Sequence, residues 1–217
     1  MKLGTIVPRK PKTDEQIRQF RGRIVAAATQ LFAERGPANV SMRDIAAAVG
    51  VSAMTPYLYF ADREALFTAV RVSALTRVTD WLNEAVEGKA PIEASRAISR
   101  AYVNFALTEP GMYRLLFDHG FPNGDDSPEL TLANERARKS MRSYVESLVD
   151  AGILSGDPEM IGMMFWASMH GTIVLQRSGA FGADVDAEAL RRLLVKTIFR
   201  GLRSSQERQK TPSTSTS

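Results

Sequence analysis

Between Ser41 and Arg63 the chain reads SMRDIAAAVGVSAMTPYLYFADR, a segment rich in hydrogen-bond donors and poor in groups that make or break bonds. Ser41, Ser52, Thr55, Tyr57 and Tyr59 supply hydroxyls, and Arg43 and Arg63 supply guanidinium groups. Donors of this kind on a short element suit phosphate oxygens and the polar edges of bases. Covalent chemistry is poorly supplied elsewhere. The only histidines are His119 and His170, there is no cysteine, and neither a glycine-rich phosphate loop nor a metal-binding His-Glu spacing occurs. Asp125, Asp126 and Glu129 could hold a cation, although a solvated loop is the plainer reading. The expectation is a protein without catalytic residues, metal or cofactor.

Positioning those donors requires two short helices and a tight turn. Ser41 and Asp44 form a Ser-x-x-Asp capping box, which satisfies amides at the start of the first helix. Ile45, Ala46 and Val49 give that helix one apolar stripe, and the alanines at 46 to 48 permit a close crossing. Gly50 stops it where a left-handed backbone is needed, Val51 plugs the turn, and Ser52 is placed to cap a second helix over 53–60. That is the layout of a helix-turn-helix DNA reader, the plainer alternative being a helical hairpin inside an all-helical core. Tyr57 and Tyr59, two residues apart, point in different directions, so one can face DNA while the other joins the core.

The flanks supply further helices. Ile17, Phe20, Ile24, Ala27, Ala28, Leu31 and Phe32 recur at helical spacing and predict an amphipathic helix ending near Arg35-Gly36, and Asp62 caps a long helix through Leu66, Val70 and Trp81 to about Glu87. With Ile24, Ala27, Ala28, Leu31, Phe32, Gly36, Ser41, Ile45, Ala46, Gly50, Val51, Ser52, Tyr57, Phe60, Glu64 and Leu66 in order, the segment 16–70 resembles the N-terminal domain of TetR-type bacterial transcriptional regulators. Met54 stands where that pattern has glycine and Pro56 where it has leucine. Because Pro56 cannot donate to the carbonyl four residues back, an irregular or late start to the recognition helix is expected.

The resemblance implies DNA contacts from this segment: Thr55, Tyr57 and Tyr59 in the groove, Ser41, Arg43, Ser52 and Arg63 on phosphates, and Ala53 and Met54 against thymine methyls. Tyr57 occupies the family's tyrosine position, a phosphate contact. Basic charge is concentrated on the same side of the sequence. Residues 1–60 hold nine Lys/Arg against four Asp/Glu, although the whole chain is only +4. Lys2, Arg9, Lys10, Lys12, Arg18, Arg21 and Arg23 make an electrostatic footprint for phosphates, with Lys10 and Lys12 on a flexible arm over 1–13; a merely solvated tail is the alternative.

From Pro91 onward the pattern is helix after helix: about 92–107, 111–118, 128–150, 158–177 and 187–203, with breaks at Glu109-Pro110-Gly111, 120–126, 155–158 and 178–184. The expected fold is all-α with about nine helices. A helix-turn-helix domain spans 14–70, a C-terminal ligand-binding and dimerisation domain 71–203, and a polar, disordered tail 204–217. The helix at 158–177 is apolar nearly all round, and with the stripe Leu190, Leu193, Leu194, Thr197, Ile198 and Gly201 it suits a four-helix homodimer interface; Gly162, Ala167 and Gly171 would allow close approach. A monomer that buries both helices internally is the other reading.

Trp166, His170 and Gly171 form a Trp-x-x-x-His-Gly motif that resembles one TetR-type subgroup. Four residues apart, the indole and imidazole share a face, and His170 is either a satisfied core residue or a ligand contact. Tyr102, Phe105, Met112, Tyr113, Phe117, Phe121, Met163, Trp166 and His170 suit a pocket for an apolar or aromatic small molecule, or else plain core. The resemblance implies an effector site here, a repressor that acts on double-stranded operator DNA, and a change in recognition-helix separation on ligand binding. No segment has the length of a membrane span or a signal peptide's apolar run, so a cytoplasmic, nucleoid-associated protein is expected. The rivals are a helical adaptor with degraded DNA binding and, with least support, a small helical enzyme.

Overall fold

The computed structural model describes residues 13–117, 127–182 and 184–203. The chain divides into two compact units, the first ending at Ser73 and the second beginning at Ala74. In the first unit, α1 (Asp14–Arg35) opens on a capping box in which the Gln16 amide donates to Thr13 Oγ1 and the Thr13 amide to Gln16 Oε1. Asp14 and Glu15 suit the positive end of the helix. Ile24, Ala28, Leu31 and Phe32 are buried at spacings of three and four, so a single face of α1 makes the core. A 3₁₀ turn, Pro37–Asn39, leads to α2 (Met42–Val49). Ser41 Oγ accepts from the Asp44 amide at 3.2 Å, and the Ser41 amide donates to Asp44 Oδ2 at 2.8 Å. Gly50 ends the helix at φ 76° and ψ 39°, a left-handed conformation in which a side chain would be strained. Met42, Ile45, Ala46, Phe60, Leu66 and Val70 complete the buried core.

After the turn the chain departs from the sequence expectation. Residues 53–60 do not form an α-helix; the only helical piece is a 3₁₀ turn, Pro56–Leu58. Ser52 does not cap as expected, and its hydroxyl bonds that of Thr55 at 2.9 Å. The cause is Pro56, which has no N–H to offer the Ser52 carbonyl. The Thr55 amide takes that carbonyl at 2.9 Å, and the tighter pattern continues as Leu58 N–H donates to Thr55 O (3.1 Å) and Tyr59 N–H to Pro56 O (3.0 Å).

Asp62 then caps α3 (Arg63–Val86), its Oδ1 accepting from the Ala65 amide at 2.7 Å; the division between the units falls within this helix. In the second unit follow α4 (Pro91–Thr108), α5 (Pro110–Phe117), α6 (Pro128–Asp150), α7 (Pro158–Arg177) and α8 (Ala187–Gly201). Four of these begin with proline, whose missing N–H costs nothing in a first turn. Ser127, Asp157 and Asp186 cap α6, α7 and α8. The two amide bonds that Asp186 accepts, from Ala189 and Glu188, hold its carboxyl below the usual carboxylate range. Helix α8 stops two residues before the expected end, where Ser155 N–H donates to Leu202 O at 2.8 Å.

Helix α7 packs against both α6 and α8. Ile161 and Phe165 join Val145, Leu148 and Leu154 in one apolar cluster, while Met169 and Ile173 join Tyr102, Phe105, Tyr113 and Leu116 in another. Gly162 serves contact within the chain: a β-carbon there would lie 3.4 Å from Met141 Cγ of α6. Its close approach is therefore to α6, and Gly171, with open space around it, is left for any partner. Among the described residues no helix is long and apolar enough to cross a membrane, and no group of His, Asp and Glu is arranged to hold a metal ion.

Candidate DNA-reading and effector sites

The segment 52–60 is anchored from inside and open outside. Pro56 and Phe60 are buried, and the Tyr59 ring lies 4.9 Å from that of Phe20. Arg21 of α1 donates from Nη1 to the Tyr59 carbonyl at 3.0 Å, with its guanidinium 4.5 Å over the Phe60 ring. Arg23 donates to the Val49 carbonyl at 3.4 Å and lies over Phe20. These two side chains tie the segment and the C-terminal end of α2 to α1 through carbonyls that lie at helix ends and have no intrahelical donor. On the outside, Leu58 is 81% exposed, Met54 68% and Tyr57 46%.

The residues expected on phosphates differ in how far they are already engaged. Arg43 and Ser52 are exposed. Ser41 shares its hydroxyl with Asp44, and these bonds, side chain first and backbone second, hold the Asp44 carboxyl below its usual range. Arg63 clamps the loop before α2: it donates to the carbonyls of Pro37 and Val40 (3.4 Å to the latter), pairs with Glu64 at 3.5 Å and lies over the Phe32 ring. Lys10 and Lys12 lie outside the described residues.

In the second unit, α4, α5 and α7 bring together residues far apart in sequence. Trp166 Nε1–H donates to Tyr102 Oη at 3.1 Å, and Tyr102 in turn hydrogen-bonds Tyr113. Tyr113 Oη lies 2.6 Å and Tyr102 Oη 3.2 Å from His170 Nδ1. The indole can only donate, so Tyr102 Oη accepts from Trp166, and the two phenol oxygens meet at the one ring nitrogen Nδ1 of His170. The imidazole stacks on Trp166 (centroids 5.0 Å, planes at 25°) and on Tyr113 (5.6 Å, 27°), with the Phe117 ring edge-on to it at 4.8 Å. Burial, reinforced by Tyr113, pushes the Tyr102 phenol well above its ordinary value, so it acts as a neutral relay. Arg177 sits 5.1 Å over the Tyr113 ring and donates to the Ala106 and Pro110 carbonyls, tying α7 to the α4–α5 corner.

Of the remaining residues expected around an effector, Phe105 and Met112 are buried beside this cluster. Met163 stands apart, 40% exposed, and Phe121, like His119, Asp125 and Asp126, lies outside the described residues. Beyond the cluster, α7 shows Met160, Met163, Met164, Val174 and Leu175 to the outside, and α8 shows Leu193, 60% exposed.

Residues 24–70 match the family of bacterial regulatory proteins, tetR family, and residues 95–198 match the tetracyclin repressor-like, C-terminal domain. The chain belongs to the TetR family. HTH-type transcriptional regulator Rv1816 of Mycobacterium tuberculosis is 26% identical over 83% of this chain and 92% of its own length. A Rhodococcus sp. RHA1 protein of unknown function superposes with TM-score 0.73 at 25% identity, over 91% of this chain and 99% of that one. A TetR-family transcriptional regulator from Pectobacterium atrosepticum superposes with TM-score 0.67 at 24% identity, over 88% and 98%. The protein is thus a DNA-binding transcriptional regulator and not an enzyme, with the all-α fold of TetR-family structures.

Within this TetR-family chain, Ser52, Ala53, Met54, Thr55 and Tyr57 fall together on the reading segment, whereas Tyr59 turns inward onto Phe20. Two features were not legible as such. Leu58 carried no polar group to draw attention, and Arg21 and Arg23 read only as charge.

Proposed function

We propose that this regulator is a homodimeric repressor released from operator DNA by a small apolar or aromatic effector. The observation that carries the reading is the relay Trp166–Tyr102–Tyr113–His170, a polar chain set among aromatic rings where three helices meet. A guest with an aromatic face and one polar group could stack on these rings and compete for the relay's bonds, shifting α4, α5 and α7 against one another. Phe105, Met112, Phe117 and Phe121 would complete such a site.

The reading assigns DNA contacts to Ser41, Arg43, Ser52, Ala53, Met54, Thr55, Tyr57, Tyr59 and Arg63, with Lys10 and Lys12 on a basic arm over 1–13. The DNA-binding domain would span 14–70 and the effector and dimerisation domain 71–203, followed by a tail over 204–217. The apolar residues left exposed on α7 and α8 suit a two-fold four-helix interface. A symmetric dimer would meet half-sites one helical turn apart, roughly 34–36 Å, and a change of a few ångströms would spoil the match. Helix α3, which runs without a break through the division of the chain, is the element to carry that change. The cytoplasm, at the nucleoid, is where such a repressor would act.

The test is an anisotropy titration against DNA from upstream of the protein's own gene, at two salt concentrations with a scrambled duplex as control. Tight, sequence-selective binding by two protomers, reversed by aromatic small molecules in a screen, is the expected result. Weak binding that ignores sequence and collapses with salt would refute it in favour of an adaptor with degraded DNA binding.

A further inference from the structure

Leu58 is the most exposed large apolar residue among the described residues, at 81%, and it is the last residue of the 3₁₀ turn Pro56–Leu58. Its setting leaves it no role in the core. Pro56 and Phe60 on either side are buried, Tyr59 is packed on Phe20, and Arg21 holds the Tyr59 carbonyl, so the backbone on which Leu58 stands is fixed from within. A leucine side chain has no polar atom, so it cannot bond a phosphate oxygen or a base nitrogen. In the major groove the only feature that complements it is the C5-methyl of thymine.

We propose that Leu58 is a specificity-determining residue that selects thymine in the operator through its methyl group, an inference that rests on the segment 52–60 entering the major groove. Thr55 and Tyr57 supply the neighbouring polar contacts, and Met54, 68% exposed on the same segment, is the competing apolar reader. Burying one methyl against Leu58 is worth about fourfold in affinity. A leucine resting on deoxyribose instead would add affinity without regard to sequence.

The test uses the full-length protein. A duplex enriched from a randomised pool by the wild type is resynthesised with deoxyuridine in place of thymidine, which removes the methyls and leaves every base-pair hydrogen bond. Binding of wild type, Leu58→Ala and Met54→Ala to both duplexes is measured at one salt concentration, with circular dichroism to show that the exposed substitutions leave the helices intact. The wild type should lose about fourfold for each methyl contacted, whereas Leu58→Ala should bind the thymidine duplex more weakly and lose about fourfold less than the wild type with deoxyuridine. Met54→Ala removes only that competing reader and should keep the roughly fourfold share of the penalty that belongs to Leu58. Wild-type indifference to deoxyuridine would overturn the proposal, as would a full penalty retained by Leu58→Ala. A pool from which the wild type enriches nothing would overturn the groove reading itself, and this inference with it.

Discussion

Removing the Tyr113 hydroxyl should be tolerated, removing that of Tyr102 less so, and removing both should cost more than the sum. Tyr113 Oη lies 2.6 Å from His170 Nδ1 and Tyr102 Oη only 3.2 Å away, so two phenols share one ring nitrogen. In Tyr113→Phe the Tyr102 hydroxyl remains to serve Nδ1, and the loss is that of one hydrogen bond, about 1 kcal/mol. Tyr102→Phe removes the acceptor of the Trp166 indole as well as the donor to Tyr113, which suggests about 2 kcal/mol. In the double variant neither phenol can serve Nδ1, and the lost substitution adds about 1 kcal/mol, giving about 4 kcal/mol in all. Urea unfolding followed by tryptophan fluorescence is the assay. The chain's two tryptophans, Trp81 and Trp166, both lie in the second unit, so the signal reports that unit alone. Coupling below about 0.3 kcal/mol would refute the sharing of Nδ1 by the two phenols.

At the reader, Tyr57→Phe should weaken binding to all DNA sequences alike, whereas Thr55→Ala, which also frees the Ser52 hydroxyl, should change the preference among them; competition titrations with operator and scrambled duplexes separate the two. The Asp44 carboxyl is held below its ordinary value of 3.8 by Ser41, so its contribution is present above that pH and lost as pH falls through the lower folded value. Acid titration of Asp44→Asn should accordingly show a flatter decline below about pH 4 than the wild type. On α8, Leu193→Glu places a charge in the face left exposed there and should convert the dimer to monomer in sedimentation velocity while weakening operator binding more than tenfold.

Much of this structure is written locally in the chain. The Ser41–Asp44 box, the left-handed Gly50 and the prolines that open α6 and α7 are short-range devices, and the sequence places α6 and α7 at their observed bounds. The stacking of Trp166 on His170 is legible for the same reason, since four residues on a helix make neighbours. The partners of His170 are not, because Tyr102 and Tyr113 arrive from 68 and 57 residues away by the packing of α4 and α5 on α7. Residues 53–60 mislead for a different reason. One missing amide at Pro56 removes the bond that would nucleate a helix, and the side chains that stabilise the resulting turn belong to α1.

That division of labour at the turn separates the shape of the reader from its alphabet. The backbone path is set by buried Pro56 and Phe60 and by Arg21, whose guanidinium is committed to the Tyr59 carbonyl and the Phe60 ring, while Met54, Tyr57 and Leu58 are exposed. A change of letter at these outer positions therefore leaves the scaffold undisturbed. On the proposed reading such a surface is open to re-coding, in evolution or in the laboratory: a library varied at 54, 57 and 58 on an unchanged Pro56 and Arg21 would explore operator preference while leaving the buried anchors of the domain in place.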